Sequence, residues 1–205
     1  MNIPSQLISD AVDALSSLPG IGKKTALRLS LQLLKRSDEE VEQFCSSLNK
    51  MKQKTQFCSK CNNISDEIIC NVCLNPNRHH QQICVVEDIR DVLAIENTME
   101  YHGVYHVLGG VISPIDGIGP GDINLSSLIE RILNDEVREL IFALNPSIEG
   151  DTTTYYISKY IKDKPIKVST LARGIAFGGE LEYTDEFTLA KSIINRQPYE
   201  NFALK

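Results

Sequence analysis

Four cysteines fall within sixteen residues as Cys58-x2-Cys61-x8-Cys70-x2-Cys73, and this spacing limits the chain's fold more than any other feature. Each Cys-x2-Cys pair can fold into a tight knuckle that aims both thiolates at one centre, and two knuckles close a tetrahedral four-sulfur shell that suits Zn2+. Such a shell leaves no position for water. One structural Zn2+ per chain is therefore expected, folding the segment rather than activating a nucleophile. A pair of disulfides is the alternative. It is disfavoured because no apolar leader run is visible and 205 residues can build a core without staples, so a reducing cytosol is expected. Cys45 and Cys84 lie outside the cluster in apolar contexts, Val41, Phe44, Cys45, Leu48 and Ile83-Cys84-Val85-Val86. Both read as buried core thiols.

No apolar run approaches the roughly 20 residues of a membrane span, so no membrane partner is expected. The net charge of −6 taken alone disfavours nucleic acid, but it is unevenly spread. Residues 1–80 carry ten Lys or Arg against eight Asp or Glu, whereas residues 81–205 carry eleven against nineteen, a net −8. The two parts should face different partners. No acid lies between Asp13 and Asp38, a stretch that holds Lys23, Lys24, Arg28, Lys35 and Arg36. None lies between Glu42 and Asp66, where Lys50, Lys52, Lys54 and Lys60 fall. Two basic runs beside one metal module favour contact with nucleic acid over a merely solvated helix face.

Pro4 to Ser17 sets Leu7, Ile8, Ala11, Val12 and Leu15 on one helical face, with Pro4 suited to a first turn. Leu18-Pro19-Gly20-Ile21-Gly22 breaks that helix, and Lys23 to Lys35 resumes one with Ala26, Leu29, Leu33 and Leu34 as its buried stripe. Ser37-x2-Glu40 reads as a capping box for a third helix, in which Val41, Phe44, Cys45, Leu48 and Met51 recur at helical spacing. Beyond the cysteines, strands are predicted at 83–86, 104–108, 137–144 and 166–170, and helices at 88–96, 125–133, 151–161 and 186–196. This alternation predicts a parallel sheet covered by helices, interrupted by a Gly/Pro-rich loop at 109–121.

The Leu18-Pro19-Gly20-Ile21-Gly22 turn has glycines suited to positive φ and leaves N–H groups bare at the next helix start, a place for a phosphate. Lys23, Lys24 and Arg28 add charge there. These residues resemble the helix-hairpin-helix motif, which grips the DNA backbone without reading bases. Farther on, Glu87 ends one predicted strand, and Asn145-Pro146-Ser147-Ile148-Glu149-Gly150-Asp151 follows another, where α/β sheets bind ligands. This part resembles the Toprim fold, in which a glutamate and an Asp-x-Asp hold Mg2+ for phosphodiester chemistry. Here Asn145 and Ser147 stand at the Asp-x-Asp positions, without the charge a hard cation demands. Glu87, Glu149 and Asp151 are left as a site for weak Mg2+ binding at most, which does not suit two-metal phosphoryl chemistry. The plainer reading of Glu149 and Asp151 is as helix N-terminal charges.

The hairpin, the four cysteines, Ile83-Cys84-Val85-Val86-Glu87, Leu108 with Ser113-Pro114-Ile115-Asp116-Gly117-Ile118-Gly119-Pro120, the 145–151 stretch and Gly178-Gly179-Glu180-Leu181-Glu182-Tyr183 follow one another in an order that resembles the bacterial recombination mediator family RecR. The resemblance implies a multi-part α/β chain. Its parts would be a helix-hairpin-helix DNA-binding region at 1–55, a four-cysteine zinc finger at 56–78, a Toprim domain at 79–175 and a C-terminal helical segment for subunit association at 176–205. It implies a non-enzymatic, cytoplasmic, nucleoid-associated homotetrameric ring that clamps single- and double-stranded DNA without sequence preference. With RecO and RecF, such a ring loads the recombinase onto single-stranded DNA. Gly20, Gly22, Lys23, Lys24 and Arg28 would contact DNA. Residues 171–180 resemble a Walker B strand in that family, but no G-x4-G-K-[ST] loop accompanies them, so Gly178 and Gly179 are expected to form a turn before a helix exchanged between subunits. Two rivals stand beside this reading. One is a Mg2+-dependent Toprim nuclease or primase, and the other is a zinc-ribbon adaptor without clamp geometry.

Overall fold

The helical spacing of the first residues yields three helices with side-chain caps on two of them. The computed structural model describes residues 3–198, and the chain divides into two units, Met1–Thr55 and Gln56–Lys205. In the first unit, α1 (Gln6–Ser16) starts where the Ser5 hydroxyl accepts from the Ile8 N–H at 3.4 Å. Helix α2 (Lys23–Leu33) packs on α1, burying Val12, Ala26 and Ser30. Helix α3 (Asp38–Lys54) opens on the predicted capping box, with Ser37 and Glu40 each accepting from the other's N–H. Its burial departs from expectation. No α3 residue is buried, Phe44, Leu48 and Met51 are exposed, and so is Cys45. Cys45 is therefore not a core thiol. The stripe keeps helical spacing, but spacing states which residues share a face and not whether anything covers it. Leu7, at 81 % exposure, departs for the same reason.

The second unit begins with a two-residue antiparallel ladder of β1 (Gln56–Phe57) and β2 (Ile64–Ser65), which brackets the first cysteine pair. A short helix, α4 (Asn71–Leu74), carries the last cysteine. Then come β3 (His79–Val86), α5 (Ile89–Glu96), β4 (Gly103–Val107), α6 (Leu125–Asn134), β5 (Glu139–Ala143), α7 (Ile148–Ile161) and β6 (Lys167–Thr170). The strands form a parallel sheet in the order β4-β3-β5-β6. Alternation along β3 explains the two cores. Ile83 and Val85 face a cluster with Leu140, Phe142, Leu128, Ile132, Ile157 and Ile161. Cys84 and Val86 face the other, with Tyr105, Val107 and Val92. Helices thus cover both faces, as near-continuous apolar strands require. Cys84 is the buried thiol the sequence suggested, and burial pushes its pKa up to about 12.

The cysteine module docks on the edge strand β4. The Val107 N–H donates to the Cys61 carbonyl at 2.8 Å and Asn62 Nδ2 to Ser127 Oγ at 3.0 Å, while Val72 packs against both cores. Buried Arg131 of α6 donates from Nη1 to the Tyr105 carbonyl at 2.7 Å, so polar groups along the β4 edge find partners without another strand. Lys60, the last cation of the second basic run, lies 3.5 Å from Asp135 in an ion pair.

Beyond β6 the chain leaves regular structure. Residues 171–180 contain no strand, so the likeness to a Walker B strand does not extend to secondary structure. Among the described residues, β6 is an edge strand that ends at Thr170, with no further strand beside it to extend the ladder. Gly178 has φ of 80° in a turn, followed by a 3-10 turn at Leu181–Tyr183 and α8 (Glu186–Ile194). Among the described residues, no helix is long and apolar enough to cross a membrane.

Candidate metal centre and nucleic-acid interface

The first knuckle closes because Asn62 takes a left-handed conformation, φ 58°, that asparagine tolerates better than most residues. This lets the Asn62 N–H donate to the Cys58 carbonyl at 2.9 Å and the Cys58 N–H to the Asn63 carbonyl at 2.7 Å. The second knuckle runs into α4, and the Cys70 N–H donates to Cys58 Sγ at 3.3 Å. All four cysteines are buried, and their sulfurs lie within 4.8 Å of one another. Cys61 Sγ and Cys70 Sγ are 3.6 Å apart, far beyond a disulfide bond of about 2.05 Å. Sulfurs around a tetrahedral Zn2+ at about 2.3 Å would sit about 3.8 Å apart, so the donor set fits that ion. Crowding sets these thiols against one another, the contact with Cys70 pushing the Cys61 pKa up and the same contact lowering that of Cys70. Four crowded thiolates need a positive centre, which a divalent ion supplies.

At the hairpin, Gly20 takes φ of 81°, and a Cβ there would meet nothing, so conformation rather than space calls for glycine. Gly22 does not use the positive φ that glycine permits. It is extended, at φ −79° and ψ 159°, and gives α2 no side-chain cap. The first bond of α2 runs from the Ala26 N–H to the Gly22 carbonyl, so the N–H groups of Lys23, Lys24 and Thr25 have no helical partner. No acid sits in that first turn. Lys23 lies 3.5 Å from Asp13, whereas Lys24 and Arg28 are exposed and form no ion pair among the described residues. The result is a bare positive helix end beside two free cations, an arrangement suited to a phosphate oxygen.

The strand-end acids do not converge. Parallel pairing of β3 and β5 aligns Val86 with Ala143 and so brings Glu87 to Asn145, whose Nδ2 donates to Glu87 Oε2 at 3.0 Å. Ser147 accepts from the Gly150 N–H and caps α7. Glu149 and Asp151 lie in the first turn of α7, as the plainer reading had it. Asp151 turns instead to Arg173, Nη2 to Oδ1 at 2.6 Å, and that guanidinium holds its carboxyl below the usual carboxylate range. Among the described residues, the four cysteines are the only group of three or more metal-ligating side chains gathered closely enough for one ion. A cleft of about 610 Å3 opens beside Asn145 and Arg173, lined also by Phe187 and Lys191 of α8. The Arg173 partnership was illegible in the sequence because 22 residues and a crossover separate it from Asp151.

Gly150 is required by close approach. A Cβ there would lie 2.1 Å from the Asn145 carbonyl oxygen, a backbone atom. Gly150→Ala should lift the start of α7 and displace Asn145 from Glu87, at a cost of about 3 kcal/mol. That predicts a fall in Tm of roughly 10 °C with metal content unchanged, and thermal unfolding beside a metal assay reads both. An unaltered Tm would mean the loop yields freely.

Three family models match this chain. They describe a RecR helix-hairpin-helix at residues 8–52, a Toprim domain at 81–172 and a RecR C-terminal part at 174–197. The chain is 55 % identical to recombination protein RecR of Cytophaga hutchinsonii, covering 98 % of both chains. It is 54 % identical to that of Amoebophilus asiaticus, covering 97 % of this chain and all of the relative. Identity to the Porphyromonas gingivalis protein of the same name is 48 %, covering 97 % of this chain and 96 % of the relative.

Proposed function

The chain belongs to the RecR family of recombination proteins, and from that membership we propose that it is a zinc-containing, non-enzymatic mediator of recombinational DNA repair. The observation that carries the DNA-binding part is the uncapped start of α2, with bare N–H groups and the cations Lys24 and Arg28, which are unpaired among the described residues. Such a site holds phosphates and carries no base information, so binding is independent of sequence and falls with salt. Gly20 shapes the turn, and Gly22 leaves the helix start open. Cys58, Cys61, Cys70 and Cys73 hold one Zn2+, whose role is to fix the two knuckles in their docked form.

The protein works in the cytoplasm as a homotetrameric ring that encircles DNA and, with RecO and RecF, loads the recombinase onto single-stranded DNA. Exposed Phe44, Leu48 and Met51 on α3 supply apolar surface for subunit association. Glu87, Glu149 and Asp151 bind Mg2+ weakly at most, because Asn145 brings an amide where a second carboxylate would be needed and Asp151 is engaged by Arg173. In the acidic 81–205 half they instead present charge to a basic partner, for which RecO is the candidate.

The test joins native mass with and without circular DNA to assays for cleavage and primer synthesis in Mg2+ or Mn2+. A tetramer that retains closed circles and shows no turnover is expected. Metal-dependent turnover that vanishes in Glu87→Ala would establish the Toprim enzyme instead, and a stable monomer with undiminished DNA binding would remove the clamp. Glu149→Lys is the clean probe of the partner surface and should weaken RecO binding at constant native mass. Asp151→Lys is not, since it would set a lysine against Arg173.

A further inference from the structure

The acidic half of the chain contains one basic and aromatic exception. Residues 152–168 hold Lys159, Lys162, Lys164 and Lys167 against Asp163 alone, and three of the seven tyrosines, Tyr155, Tyr156 and Tyr160, lie in the same stretch. Helix α7 buries Gly150, Thr153, Ile157 and Ile161, so its 3.6-residue repeat turns Tyr155, Lys159 and Lys162 to the opposite side. Tyr155 is 65 % and Tyr160 48 % exposed. Lys159 Nζ stands 4.5 Å from the Tyr155 ring centroid. The Tyr156 and Tyr160 rings lie 5.5 Å apart with hydroxyls 3.0 Å from each other, which fixes the Tyr160 ring while leaving it partly open to solvent. Lys159, Lys162 and Lys164 form no ion pair among the described residues.

We propose that the exposed side of α7, from Tyr155 and Lys159 on its outer face round to Tyr160 on its flank, is a second nucleic-acid contact, specific for single-stranded DNA, with bases stacked on Tyr155 and Tyr160 and phosphates at Lys159 and Lys162. This rests on the reading that the protein binds DNA. Flat rings interleaved with cations that no acid among the described residues neutralises match the two faces of a single strand, its unpaired bases and its backbone. A duplex keeps its base faces inside the stack and would use the cations without the rings. A protein partner is the less suited occupant, since lysine is depleted where proteins associate. The hairpin and this face then divide the work, the first gripping any backbone and the second favouring strands whose bases are free.

The full-length protein carries no tryptophan, so tyrosine emission reports stacking directly. Oligothymidine should quench that emission in the wild type. Tyr155→Ala with Tyr160→Ala should weaken oligothymidine binding by about tenfold or more, leaving duplex affinity, zinc content and native mass unchanged. Tyr155→Phe with Tyr160→Phe should restore binding, because the ring and not the hydroxyl stacks. Lys159→Ala with Lys162→Ala should flatten the salt slope for oligothymidine by about 1.4. Wild-type affinity for oligothymidine in the double alanine variant would overturn the proposal. So would a changed native mass, which would assign this face to contact between copies, or a lost protein partner with DNA binding intact. A wild type that binds neither oligothymidine nor duplex would overturn the DNA-binding reading along with it.

Discussion

Replacing Cys61 with serine is expected to abolish metal binding and unfold the module around it. The substitution removes a charged soft ligand from a buried four-sulfur set already at metal-binding spacing. Binding of structural zinc supplies about 10–16 kcal/mol in small zinc modules, comparable with the whole stability of a typical domain, about 5–15 kcal/mol. The consequence reaches past the module. The Cys61 carbonyl accepts from the Val107 N–H on the sheet edge and the neighbouring Asn62 holds Ser127, so a melted knuckle leaves the β4 edge open to pairing with other chains. Loss of soluble protein should therefore dominate over any clean functional defect. Purified wild type should contain one equivalent of zinc and lose stability on chelation, whereas Cys45→Ser, at an exposed position on α3, should change neither. Wild type with less than half an equivalent, or with full stability after chelation, would sink the zinc assignment.

The joint substitution Lys24→Ala and Arg28→Ala should lower affinity for duplex DNA about a hundredfold. Each removes a charge-assisted hydrogen bond to phosphate worth about 1.5 kcal/mol or more. Two lost phosphate contacts should also flatten the slope of log affinity against log salt by about 1.8 for duplex, uniformly across sequences. Both side chains are exposed, so the fold should be untouched. Lys23→Ala should cost less, because Lys23 already lies against Asp13 and offers a partly neutralised charge. Titration of labelled duplex across a salt series, with circular dichroism as the check on folding, measures all three. Unchanged affinity and slope in a folded double variant would falsify the hairpin as the DNA contact.

Features that live in short stretches of chain are legible in the sequence. The cysteine spacing predicted a cluster, and the structure gathers the four buried sulfurs. The Ser37 and Glu40 capping box was legible because both partners sit within one helical turn. Alternating apolar runs pointed to the parallel sheet and its helices, since a strand buried on both faces leaves few polar residues to mistake. Rare residue types at fixed short offsets carry such information, because local geometry alone decides what they can do.

Long-range packing decided the rest. That Cys84 is buried while Cys45 is exposed, although both lie among apolar neighbours, depends on which elements face them. Gly20 needs its positive φ and Gly22 does not, a difference two glycines in one turn cannot reveal. Sequence proximity grouped Glu149 with Asp151, yet the fold gives Asp151 to Arg173 and leaves Glu87 to Asn145. Residue order was enough to say what each segment becomes and which side chains can bind metal or phosphate. Which of those groups stay free emerged only once the chain had packed, because an ion pair or a buried face is settled by partners distant along it.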